Sequence, residues 1–176
     1  MIWILRGNHW PLAALAFSAA MILGAHAFEV IGQMSPCNLC LRQREVYWAA
    51  AALALAGVAF AGRMDKRAIS GVDMLLGMAF MTGAIVAGYH AGVEYHVFPE
   101  LPSCAPAELG GLEGLDVAAA LSGAIKVQSC ADPEWTFLGV SMAGYNFLIS
   151  AVLAGVSFIA AARAQPKTWD EHEIPA

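Results

Sequence analysis

The sequence predicts an all-α integral membrane protein: a four transmembrane helix bundle with two outward loops, the second long and with room for a short amphipathic helix. Three observations carry this. Hydrophobic residues make up 59% of the chain and charged residues only 13%, and the mean hydropathy is +0.61. Four runs are apolar all round and long enough to cross a bilayer, which takes about 20 residues per helix. Charged residues gather between the runs rather than along one face of each, as they would in a soluble amphipathic helix. A single membrane domain over residues 1–176 suits this length. The formal net charge of −5 is modest, and no basic cluster with interleaved aromatics marks a nucleic-acid surface.

The first span is expected at about 12–31. Trp10 suits the membrane interface, and Pro11 suits a first helical turn, where its missing N–H costs nothing. Arg6, an apolar stretch and Ala25-His26-Ala27 also imitate a secretory signal with its cleavage site. The apolar run continues past that site through Phe28, Val30 and Ile31, which favours a retained helix. Gly32 to Pro36 breaks the helix and opens the first loop, 32–39. The second span is expected at about 40–62, followed by the charged turn Gly62-Arg63-Met64-Asp65-Lys66-Arg67. The third, about 69–93, is rich in glycine. Gly88 and Gly92, like Ala16, Ala20 and Gly24 in the first span, have the small-residue spacing that lets helix backbones approach in lipid. Residues 94–135 form the second loop, in which Leu112, Leu115, Ala118, Ala119 and Ile125 suggest a short helix lying on the membrane surface. The fourth span is expected at about 136–162.

Four spans put both termini on one side. Arg6, Arg63, Lys66, Arg67, Arg163 and Lys167 lie on that side, and only Arg42, Arg44 and Lys126 on the other. The excess of positive charge places the termini in the cytoplasm. Both loops, with all four cysteines, then face outward. In a bacterium that is the oxidising periplasm, where disulfides persist.

Cys37 and Cys40 form a Cys-x-x-Cys pair at the mouth of the second span. The spacing serves thiol–disulfide chemistry and also half a zinc site, which would need Cys104 and Cys130 as its other ligands. Two structural disulfides are the plainer reading. It suits Cys104 and Cys130, which close a long loop, better than Cys37 and Cys40, whose small ring has little entropy to remove. Cys40 begins a helix whose unpaired amides favour a thiolate. Arg44 is one turn further on the same face, either as an interfacial anchor or to stabilise negative charge near Cys40. Arg42 points elsewhere and suits an anchor, and Glu45 is a partner for either arginine or simply solvated. Electrons leave a disulfide pair only for an acceptor of higher potential. No nucleotide fingerprint is present, and a membrane quinone fits the location. His90, near the outer end of the third span, either flanks such an acceptor or is an ordinary interfacial histidine. His26 and His90 also raise a b-type haem as a rival. A non-enzymatic four-span scaffold with stapled loops is another.

The chain resembles the disulfide bond formation protein B (DsbB) family over nearly its whole length. The resemblance is carried by the four spans, Pro36-Cys37-x-x-Cys40 with Arg44, Cys104 and Cys130 in the second outer loop, and Trp135-Thr136-Phe137-Leu138-Gly139 with Met142. It implies a multi-pass inner-membrane oxidoreductase that reoxidises DsbA, a periplasmic protein of thioredoxin fold, and reduces ubiquinone or menaquinone. By the same resemblance the partner attacks a Cys104–Cys130 disulfide at Cys104. Cys130 then exchanges with Cys37, and Cys40 faces the quinone beside Arg44. It assigns no role to Arg42 or Gln43.

Overall fold

In a computed structural model, which describes residues 9–102, 104 and 129–164, four helices are long and apolar enough to cross a membrane. They are α1 (Trp10–Val30), α2 (Asn38–Phe60, extended by a 3-10 turn, Ala61–Arg63), α3 (Lys66–Glu94) and α4 (Met142–Ala164). The expected surface helix lies outside the described residues. α1 runs unbroken through Ala25-His26-Ala27 with Pro11 in its first turn. α2 is capped by Cys37, whose sulfur accepts the Cys40 N–H at 3.2 Å. α3 is capped by Asp65, whose Oδ1 accepts the Ala68 N–H at 2.8 Å. Such caps satisfy donors that a helix start leaves open.

The fourth helix starts later than the expected position near residue 136. Thr136–Phe137 (β1) and Val140–Ser141 (β2) pair antiparallel as a minimal hairpin. Its two turn residues, Leu138 and Gly139, have φ of +50° and +78°. Positive φ at both turn positions matches the twist of the flanking strands, and it excludes a helix until Met142. Tyr95 Oη ties the hairpin to the end of α3, donating to Gly139 O at 2.9 Å and accepting from Ser141 N at 3.1 Å.

The bundle is assembled as lipid requires. Large apolar side chains such as Leu23, Leu55, Ile85 and Val152 are exposed on its outside, whereas Ser18, Ser150, Ser157 and Asn146 are buried. Cross-helix hydrogen bonds join the elements: Trp10 Nε1 to Ser157 Oγ at 3.0 Å, and Ser70 Oγ to Ala161 O at 2.9 Å. Each contributes about 0.6–2 kcal/mol in a membrane. α3 and α4 pack most extensively, helped by Gly77, where an added Cβ would lie 2.5 Å from Phe158 Cε1. In α1, by contrast, Gly24 has nothing within 4 Å of its would-be Cβ. The end of its small-residue stripe borders a cavity rather than a neighbouring backbone.

Candidate functional site

At the end of the bundle where α2 begins, one cavity of about 420 Å³ opens between α1, α2 and α4, with α3 behind it. Its apolar wall includes Met21, Ile22, Phe28, Met142 and Ile149, and its polar wall includes Cys37, Cys40, Arg44 and His90. The volume is within the range of small-molecule sites, about 300–1,000 Å³. Four of the six expected site residues therefore border one space. The other two, Cys104 and Cys130, are joined as a disulfide with Cα atoms 5.5 Å apart. They pack in a cluster with Cys37, Leu39 and Val93.

Cys37 and Cys40 are free thiols with their sulfurs 2.9 Å apart. Cys37 donates to the Cys40 sulfur, and this bond, followed by burial, pushes the Cys37 thiol above the ordinary range. Cys37, Cys104 and Cys130 are 4%, 2% and 1% exposed, and only Cys40 is half-buried. Leu39, Val93 and Ala131 close around them, so a protein-sized partner reaches the disulfide only if its segment moves outward. That segment is held by Glu100, whose Oε1 accepts from Cys130 N at 2.8 Å and Ser129 Oγ at 2.9 Å.

The ligating atoms of Cys37, His90 and Cys130 lie within 4.8 Å of one another. In this redox state Cys130 is bonded to Cys104 and offers no thiolate, the form that binds metal. What the cluster does show is that the sulfurs of Cys37 and Cys130, one from each pair, are near neighbours. His26 is exposed, with Nδ1 taken up by Ile22 O at 2.9 Å. It is not among the residues bordering the cavity that His90 lines.

Arg44 finds its partner across the helix interface. Its Nη1 donates to Glu29 Oε2 at 2.8 Å, while Glu45 pairs with the exposed Arg42 at 3.0 Å. Arg44 Nε is buried and has no hydrogen-bond partner among the described residues. His90 is buried, with Nε2 3.5 Å from Cys37 Sγ and 3.7 Å from Glu94 Oε1. Its Nδ1 meets Gln43 Nε2 at 2.8 Å. Gln43 in turn bonds Asn146, which accepts from Tyr47 Oη at 2.6 Å. Gln43, Tyr47, Asn146 and Glu29 were not singled out from the sequence. Their signal was a polar or acidic group inside or at the end of an apolar run, where such groups are costly and usually functional.

The family profile described as "Disulfide bond formation protein DsbB" matches residues 7–160. The chain belongs to the DsbB family. Three relatives, each named disulfide bond formation protein B, agree. That of Methylococcus capsulatus is 31% identical over 159 residues, covering 84% of this chain and 90% of its own length. That of Polaromonas naphthalenivorans is 32% identical over 143 residues, covering 81% and 83%. That of an Acidovorax species is 30% identical over 166 residues, covering 89% and 90%. As a DsbB family protein with four membrane-spanning helices, the chain is a multi-pass bacterial membrane protein of disulfide bond formation.

Proposed function

We propose that this DsbB family member is a protein-dithiol:quinone oxidoreductase. It reoxidises a periplasmic DsbA-like dithiol and passes the electron pair through Cys104–Cys130 and then Cys37–Cys40 to a membrane quinone. The termini are cytoplasmic and the cysteine-bearing end periplasmic. The observation that carries the reading is the shared cavity: Cys40 and Arg44 on its wall, with the Cys37 sulfur beside that of Cys130.

The exchanges conserve atoms and charge. A partner thiolate attacks Cys104; a sulfur–sulfur bond forms to the partner, the Cys104–Cys130 bond breaks, and the electron pair leaves on Cys130. Cys130 then attacks Cys37 of an oxidised Cys37–Cys40 pair, and the electron pair leaves on Cys40. Such steps need a thiolate attacker and a good leaving thiolate. The helix start stabilises charge on the Cys40 sulfur as it leaves. The residues present fit a quinone. The apolar wall suits its ring and tail, and Arg44 Nε, without a partner among the described residues, is a donor ready for an oxygen acceptor. His90 completes the polar wall. When bound, the quinone supplies a sink for two electrons and two protons. Arg44 would hold one of its oxygens, His90 would line the same wall beside Cys37, and the apolar wall would keep water from the sulfurs.

Purified protein is supplied with a reduced thioredoxin-fold dithiol protein and a soluble ubiquinone analogue. Quinone reduction is expected in step with dithiol oxidation, and is abolished by Cys37→Ser or Cys40→Ser. With Cys104→Ser, reduction by the protein dithiol is lost while reduction by dithiothreitol persists. Turnover in the Cys40→Ser variant would refute the assignment, and cysteines whose redox state ignores quinone would mark a stapled scaffold.

A further inference from the structure

The hydrogen-bonded set behind Cys37 has a direction. His90 Nε2 faces acceptors: the Cys37 sulfur, whose own proton is turned to Cys40, and the Glu94 carboxylate. The imidazole proton therefore sits on Nε2, and Nδ1 is left as an acceptor. Gln43 meets that need with its NH2 group at 2.8 Å. Its orientation is held because Gln43 Oε1 accepts from Asn146 Nδ2, and Asn146 Oδ1 accepts from Tyr47 Oη. Every donor in the chain thus points toward Cys37. The bonds join α2, α3 and α4 inside the bundle, and Gln43, Tyr47, His90 and Asn146 are all buried.

We propose that Gln43, held by Asn146 and Tyr47, is a positioning residue that fixes the tautomer of His90, so that its Nε2–H makes Cys37 the sulfur released when Cys37 and Cys130 separate. This rests on the proposed function and adds a step to it. The partner's second thiolate attacks the partner sulfur of the mixed disulfide, which closes the partner's own disulfide and releases Cys104 as thiolate; that thiolate attacks Cys130 of a Cys37–Cys130 disulfide. The Cys104–Cys130 bond forms, the Cys37–Cys130 bond breaks, and the electron pair leaves on Cys37, where the His90 N–H meets it. The structure has the arrangement that follows this step: Cys104 bonded to Cys130, and Cys37 free against His90. A leaving sulfur whose thiolate is hydrogen-bonded departs faster.

The test needs neither quinone nor partner protein. The full chain carrying Cys40→Ser and Cys104→Ser is oxidised to its one possible intramolecular disulfide, Cys37–Cys130, and cleaved with 2-mercaptoethanol. Mass spectrometry identifies the sulfur that acquires the reagent. Attack at Cys130 with release of Cys37 is expected to dominate. Adding Gln43→Met should slow this route roughly tenfold, the scale of one lost hydrogen bond to a charged group, and shift attack toward Cys37. Identical rate and partition with and without Gln43→Met would overturn the proposal. Histidine 15N resonances of the otherwise unaltered protein provide a second measurement. An Nε2–H tautomer at His90 is expected, and an Nδ1–H tautomer would overturn it. Failure of quinone reduction in the unaltered protein would instead count against the proposed function, so the two are judged separately.

Discussion

Replacing Arg44 by alanine tests the cavity directly. Arg44 is mostly buried, at 15% side-chain exposure, and its one described ion pair is with Glu29, which is 38% exposed. Loss of that pair leaves a carboxylate in contact with solvent or headgroups, so the folding cost is small, about 1 kcal/mol or less. Loss of the Nε donor, which has no partner among the described residues, is different, because in the proposed function its role falls on the bound quinone. A charge-assisted hydrogen bond to a ligand oxygen is worth about 1.5–3 kcal/mol, or roughly 10–100-fold in affinity. Arg44→Ala should therefore raise KM for quinone by that factor, with little change in KM for the protein dithiol. Arg44→Lys should recover only part of the loss, since an ammonium keeps the charge without the planar fork. The assay follows quinone absorbance at saturating dithiol over a range of quinone concentrations. An unchanged KM and kcat for quinone in Arg44→Ala would remove this residue from the site and, with it, the main argument that the cavity holds the acceptor.

Three other outcomes follow from the same geometry. Glu100→Ala removes the carboxylate holding Ser129 and Cys130; exchange between the two pairs, followed by rapid thiol trapping, should slow roughly tenfold while KM for quinone stays constant. The Cys37 thiol is raised chiefly by its bond to the Cys40 sulfur, so in the reduced, quinone-free protein Cys40→Ser should move the pH profile of Cys37 alkylation to lower pH. The sign follows because a raised thiol reacts only at higher pH, and removing the leading cause lowers it; burial remains, so the profile should not fall below that of a free cysteine. A profile that stays put or moves up contradicts the hydrogen bond. Gly77→Ala places a methyl group against Phe158 and should destabilise the α3–α4 contact by about 1–3 kcal/mol, read as a lower Tm in detergent with unchanged KM values.

The four helices were legible because membrane spans depend on length and apolarity, properties local to a stretch of chain. The start of α4 was not. Thr136 to Ser141 is apolar enough to extend the run, but Leu138 and Gly139 take left-handed conformations, and a leucine gives little warning of that. The cysteine pairs and Arg44 stood out through spacing. Their partners did not, because those depend on how the helices are rotated against one another. Glu45 was the local candidate for either arginine, yet it pairs with Arg42 three residues away, and Arg44 reaches Glu29 on α1. Gln43 is 47 residues from His90 and 103 from Asn146; no local period connects them. The resemblance, too, assigned Gln43 no role, although the structure places it at the hinge of the polar chain.

In the proposed electron path, the sulfur that caps α2 is also one that changes oxidation state. Cys37 Sγ accepts the Cys40 amide, and its strength as an acceptor differs among thiolate, thiol and disulfide. The first turn of α2 is therefore a built-in gauge of electron occupancy. Hydrogen–deuterium exchange at the Cys40 amide should change as the pair is oxidised and reduced, while amides deep in the same helix do not. Each catalytic cycle would then tighten and loosen one end of a membrane helix, a mechanical signature of turnover readable without following either substrate.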